Sequence, residues 1–202
     1  MGLRSRVMEV PLLYNFFQMG IGKTESRSWL VDEIIEPHLG QRILDIGCGT
    51  ASILGQLTGA CYLGIDHNPK YIAQARSKFG TQGKFECIDL NALSIDEHEK
   101  FDTALLIGVL HHLSEDEVEG LLSKVSFLLS KDGKLVTFDC AIVKGQHRVA
   151  RLLAKLDRGR FVRSPQHYRA LIERAFDVET EIVRHDLLKV PYTHAVFRAK
   201  PK

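Results

Sequence analysis

The sequence predicts an α/β fold: an open, mostly parallel sheet with helices on both faces and an antiparallel hairpin at one edge. Three observations carry this. Five short runs rich in β-branched and aromatic residues begin near Ile43, Tyr62, Lys84, Phe101 and Lys134. Helical punctuation lies between most of them, as crossover connections of a parallel sheet require. Two last β-type runs, Phe176 to Val183 and Thr193 to Ala199, are joined by a stretch containing Pro191 that is too short for a crossover. They therefore pair as a hairpin.

Each element has a local cause. ILDIG, YLGID, KFECID, FDTALLIG and KLVTFD are the five buried strands. Asn68 followed by Pro69 reads as a helix cap and first turn, with Ile72, Ala75 and Phe79 on one face and Gly80 as the stop. Ser114 and Glu117 form a capping box ahead of Val118, Leu121, Leu122 and Val125. Ser164 and Pro165 open another helix with Tyr168, Leu171, Ile172 and Ala175 in register. Residues 1–40 read as helical and amphipathic, with Trp29, Leu30, Ile34 and Ile35 inward, until Pro37 and Gly40 break the run.

The chain of 202 residues is 45% apolar, too much for a disordered segment and fitting for one domain. Its 27 basic and 25 acidic residues, net +2, name no partner. Cys48, Cys61, Cys87 and Cys140 form no CxxC pair, so free thiols in a reducing, cytoplasmic setting are expected and no metal site is predicted. MGLRSR carries Arg6 where a myristoylation signal needs Ser or Thr. No apolar run is long enough for a membrane span. One domain is expected, divided into residues 1–40, a core over 41–140, a basic helical segment over 141–175 and the hairpin over 176–202.

The chemistry sits at strand ends. Asp45, Gly47, Cys48 and Gly49 follow the first strand in DIGCGTAS, where glycines permit a tight turn and a helix start is expected to offer free N–H groups. Asp45 would repel a diphosphate and welcome an ammonium or sulfonium group. Asp66, in GIDHN, can accept the hydroxyls of an adenosine ribose. Asp89, in IDL, can accept from an adenine amino group beside Leu90. Ile107 closes the fourth strand ahead of His111 and His112.

These four motifs, in this order and with the terminal hairpin, resemble the class I S-adenosylmethionine-dependent methyltransferases over roughly residues 40–200. The resemblance implies a Rossmann-like, seven-stranded sheet and S-adenosyl-L-methionine as cofactor. It implies that Asp45 orients the methionine ammonium, that Gly47, Cys48 and Gly49 pass under the cofactor, and that Asp66 holds the ribose. His67 then lines the adenine, Asp89 and Leu90 read it, and Ile107 lies close by. It further implies an N-terminal lid, for which Tyr14, Phe17 and Gln18 are candidates. Methyl transfer needs no protein nucleophile; His111 is the candidate general base where the acceptor is a hydroxyl. His112, Tyr192 and His194 are candidates for the acceptor side.

One segment breaks the even charge balance. Residues 144–169 hold Lys144, Arg148, Arg151, Lys155, Arg158, Arg160, Arg163 and Arg169 against Asp157 alone, a net of +7, so the remainder carries −5. Val149, Leu152, Leu153 and Leu156 recur at helical spacing and are expected opposite Arg148, Arg151 and Lys155. Such a helix either packs its apolar side on the sheet or recruits an anionic small-molecule or lipid-linked acceptor, with peripheral membrane contact as one form. RNA ranks lower, because few rings interleave with the charges. The expected function is methyl transfer to a small-molecule acceptor, anionic or lipid-linked if the basic segment recruits it. The alternatives are a non-catalytic nucleoside-binding regulator, an RNA methyltransferase and a nicotinamide dehydrogenase, the last disfavoured by Asp45 and Ser52. Oligomeric state, the acceptor and its methylated atom are not readable from these residues.

Overall fold

A computed structural model of the chain describes residues 24–94, 99–156 and 160–202. Tyr14, Phe17 and Gln18 lie outside the described residues, as do Asp157 and Arg158. Seven strands form one sheet: β1 (Arg42–Ile46), β2 (Cys61–Ile65), β3 (Lys84–Glu86), β4 (Phe101–Ile107), β5 (Leu129–Cys140), β6 (Phe176–Arg184) and β7 (His194–Pro201), in the spatial order β3-β2-β1-β4-β5-β7-β6. The first five run parallel, and β7 inserts antiparallel between β5 and β6. The expected hairpin is present, with its second strand next to the core.

Alternation along the strands divides the core in two. Leu44, Ala104 and Leu106 face α3 (Glu115–Leu128) and α5 (Pro165–Ile172), while Ile43 and Leu105 face α1 (Thr24–Trp29) and α2 (Pro69–Phe79). The caps read from sequence are formed. Ser114 and Glu117 exchange both capping-box bonds, Asn68 accepts from the Lys70 N–H, and Ser164 accepts from the His167 N–H. Beyond Trp29, α1 continues as a π-helical turn, Leu30–Ile35, that buries Leu30, Val31, Ile34 and Ile35.

One expected element is missing. No α-helix follows the first glycine turn; the chain makes a single 3-10 turn at Leu54–Gln56 before entering β2. The crossover is too short for a full helix, and Gly55 and Gly59 disfavour one. Helix α4 (Arg148–Leu156) follows β5 as expected, but buries Ala150 and Ala154 and leaves Val149 and Leu152 exposed.

Candidate functional site

The turn after β1 is held by its own backbone. The Gly47 and Cys48 N–H groups both donate to the Ile65 carbonyl, at 2.8 and 3.0 Å, and the Gly49 N–H donates to Asp66 Oδ2 at 3.0 Å. These three N–H groups are consumed within the fold. The turn is thus no ready-made nest for a phosphate, correcting the expectation of free N–H groups and arguing against a dinucleotide.

What the turn offers instead is carboxylate. Asp45 is buried, and Tyr62 Oη donates to its Oδ2 at 2.6 Å. Burial, partly offset by Tyr62 and reinforced by the charge of Asp66, pushes the Asp45 carboxyl up to about 7. A cation brought beside it would restore the charged form. Asp66, directly after β2, accepts from Gly49 through one oxygen and from the Asn68 N–H, at 2.7 Å, through the other. One side chain thereby fixes the glycine turn and the entry to α2.

Close packing explains the glycines. A Cβ on Gly47, at φ +71°, would lie 3.0 Å from Val109 Cγ2, so the turn after β1 and the segment after β4 share one crevice. A Cβ on Gly64 would fall 2.8 Å from Cys48 Sγ and 2.9 Å from the Tyr62 ring. Ala51 takes φ +54°, a left-handed conformation that favours glycine. Cys48 is buried, and burial with the charges of Asp45 and Asp66 pushes its thiol far above the ordinary value, which keeps it unreactive.

Farther along the edge, Asp89 is exposed and caps the short turn Leu90–Ala92 through the Asn91 N–H at 2.8 Å, with Leu90 buried beneath it. His67 is exposed, its Nδ1 3.8 Å from Asp66 Oδ1. Ile107 ends β4, half-buried.

The second half of the edge centres on His111. Its Nδ1 lies 2.7 Å from Asp139 Oδ1, which also accepts the His111 backbone N–H at 3.2 Å. Both residues are buried. Burial works to lower the imidazole pKa, but hydrogen bonds to Asp139 and Cys140 and their charges outweigh it and hold the ring well above the ordinary histidine range. Asp139 Oδ2 is buried without a hydrogen-bond partner among the described residues. His112 is exposed, its ring 4.0 Å from that of His111. Tyr192 and His194 are buried, their tilted rings 5.1 Å apart, and the Phe138 ring lies 4.6 Å from that of His194.

Arg163 belongs to this half. It is buried, and its guanidinium donates to the carbonyls of Leu110 at 2.9 Å, Phe161 at 3.0 Å and Leu113 at 2.7 Å. Residues 110–113 are thus clamped around His111. Tyr168 Oη accepts from the Arg163 N–H and donates to the Cys140 carbonyl. Arg169 pairs with Glu173 and Glu181. Two cations of the basic segment are therefore spent within the protein. Arg148 and Arg151 remain exposed.

A family model described as a methyltransferase domain matches residues 44–135. A TehB-like SAM-dependent methyltransferase from Corynebacterium glutamicum superimposes with a TM-score of 0.67 at 25% identity, over 94% of each chain. Both findings make the chain similar to the class I S-adenosylmethionine-dependent methyltransferases. The tRNA U34 carboxymethyltransferase of Aeromonas hydrophila is 31% identical over 125 residues, 56% of this chain and 37% of that protein. The N-methyltransferase NodS of Bradyrhizobium japonicum, solved with S-adenosyl-L-homocysteine, shares the fold at a TM-score of 0.68 and 15% identity, over 88% of this chain and 86% of that one. The chain spans about half or less of the length of the curated relatives it matches.

Four residues of this candidate site escaped sequence reading: Tyr62, Ala51, Asp139 and Arg163. Asp139 ends the fifth strand and could have been flagged by the same strand-end logic as Asp45 and Asp66. Tyr62 and Arg163 carried no local signal, because one sits inside a strand and the other inside a run of surface-like cations.

Proposed function

We propose that the protein transfers a methyl group from S-adenosyl-L-methionine to a small anionic acceptor. The observation that carries this is the turn after β1, whose N–H groups are satisfied internally while the Asp45 and Asp66 carboxylates line it. That donor set fits a cationic amino acid joined to a nucleoside and disfavours a diphosphate. When bound, the cofactor supplies a methyl group on a sulfonium, already activated for in-line displacement.

Asp45, steadied by Tyr62, meets the ammonium. Asp66 keeps Gly49 in place and accepts from ribose hydroxyls, with His67, Asp89 and Leu90 toward the base. Val109, against Gly47, and Ile107 supply apolar surface that excludes water near the reacting centre. His111 takes the proton of a hydroxyl acceptor, with Asp139 fixing its tautomer and stabilising the imidazolium formed. His112 and Tyr192 stand toward the acceptor, while Arg148, exposed on α4, is a cation for an anionic surface.

Calorimetry with S-adenosylmethionine, S-adenosylhomocysteine and nicotinamide dinucleotides tests the cofactor. Binding of the dinucleotides alone overturns the reading, and binding of the sulfonium cofactor with no turnover on any acceptor favours a regulatory protein. Turnover on tRNA, the acceptor named for one relative, would replace the small molecule.

A further inference from the structure

Helix α4 stands with the wrong face inward for a buried amphipathic helix. Ala150 and Ala154, each 2% exposed, make its contact with the protein, whereas Val149 and Leu152 are 44% and 56% exposed. At 100° per residue Leu152 projects directly opposite the midpoint of Ala150 and Ala154, with Arg148 and Val149 on either side of it. Arg148 and Arg151 are exposed and form no ion pair among the described residues, in contrast to Arg169. The helix sequence RVARLLAKL contains no acid. A shallow groove of about 310 Å³ lies beside this face, lined by Val143, Gln146, Arg148, Arg151 and Leu152.

We propose that this face seats the protein on an anionic phospholipid surface, the arginines meeting lipid phosphates and Leu152 with Val149 entering the headgroup boundary. Two features select lipid over the other polyanion, RNA. The side chains that project farthest are aliphatic, and they offer no plane for base stacking but fit an acyl boundary. Cations flank them on the outward side, as an interfacial helix requires. Nine residues give a helix of only about 14 Å, so the contact is weak and reversible and needs both its apolar and its electrostatic parts.

Position gives the contact a use. α4 leaves the same strand end that carries Asp139, and the segment after it returns to the site, where Ala141 bridges Arg163 and the Phe161 N–H donates to the His111 carbonyl. A lipid-linked acceptor would thus arrive beside His111. This last step rests on the methyl-transfer reading; the membrane contact does not.

The test is flotation of the full chain with phosphatidylcholine vesicles, with and without phosphatidylglycerol, with a labelled tRNA run in parallel. Binding is expected only where phosphatidylglycerol is present and should fall with added salt. At about 1 kcal/mol for each cation near the surface, Arg148→Gln with Arg151→Gln should weaken it roughly thirtyfold. Leu152→Ser should weaken it roughly tenfold, through loss of the inserted side chain. All variants should keep the parent Tm, since none of these side chains is buried. Equal binding to both vesicle types, no binding to either, or a Leu152→Ser variant that binds like the parent would overturn the proposal. So would charge variants that lose tRNA binding alone. Loss of vesicle binding with cofactor binding intact is expected of the variants; failure of cofactor binding in the parent would sink the methyl-transfer reading and leave this result standing.

Discussion

The two halves of the ligand edge are built by different means. Around the ends of β1 and β2, Asp45, Gly47, Gly49 and Asp66 lie within 22 consecutive residues and are joined by backbone bonds between adjacent parallel strands. Around the ends of β4, β5 and β7, His111, Asp139, Arg163 and His194 are brought together from separations of tens of residues, by side chains reaching across elements. The first half is a motif; the second is an assembly. The difference teaches that a carboxylate-lined turn can be inherited with a short stretch of sequence, while the surroundings of His111 depend on how the C-terminal segments pack.

The sharpest division between the halves comes from His111. His111→Gln should lower kcat on a hydroxyl acceptor by roughly a hundredfold or more while cofactor affinity is kept. Because Asp139 raises the imidazole pKa, the ascending limb of the kcat profile should lie above the ordinary histidine range, and Asp139→Asn should move it to lower pH. A profile untouched by Asp139→Asn would mean that the pair only supports the fold.

Asp66→Ala should act on the other half alone, weakening cofactor binding in calorimetry by about a hundredfold, as two charge-assisted bonds to backbone are lost along with the ribose contact. A smaller effect would place the nucleoside elsewhere. Arg163→Met is expected to destabilise the fold by about 3 kcal/mol in chemical denaturation, since the carbonyls of Leu110 and Leu113 lose their buried donor. Unchanged stability would show that water replaces the clamp.

The effect of Asp45 on the ligand-free protein is spread over pH. The folded carboxyl keeps its proton up to about pH 7, whereas the unfolded one releases it near 3.8. Folding thus gains most below pH 3.8, and the gain is lost as pH rises through about 7. Asp45→Asn should flatten this part of the stability profile. Tyr62→Phe should enlarge the pH dependence, because Tyr62 stabilises the ionised form. Thermal melts across that range would read both.

Legibility followed the same division. DIGCGTAS and GIDHN announced the carboxylate-lined turn because a tight turn demands glycine and a buried strand-end carboxylate needs a partner, constraints that a few adjacent residues express. The capped helices and the hairpin were equally plain. The helix expected after the first turn was misread because a glycine turn at a strand end usually opens one, and only the short crossover to β2 shows that it cannot. Arg163 and Arg169 read as part of an anion-seeking surface because side-chain direction has no signature in a run of cations.

Local chemistry alone therefore determined the order of strands and helices, their caps, the terminal hairpin and the carboxylate-lined turn, since each rests on short-range sterics and periodicity. Tertiary structure alone decided that Tyr62 would steady Asp45, that Asp139 would face His111, that Arg163 would turn inward, and that α4 would rest on two alanines with Leu152 outward. These depend on which surfaces meet when distant segments pack, and a helix of amphipathic sequence has more than one face it could bury. The face it leaves uncovered is set by the neighbours it finds.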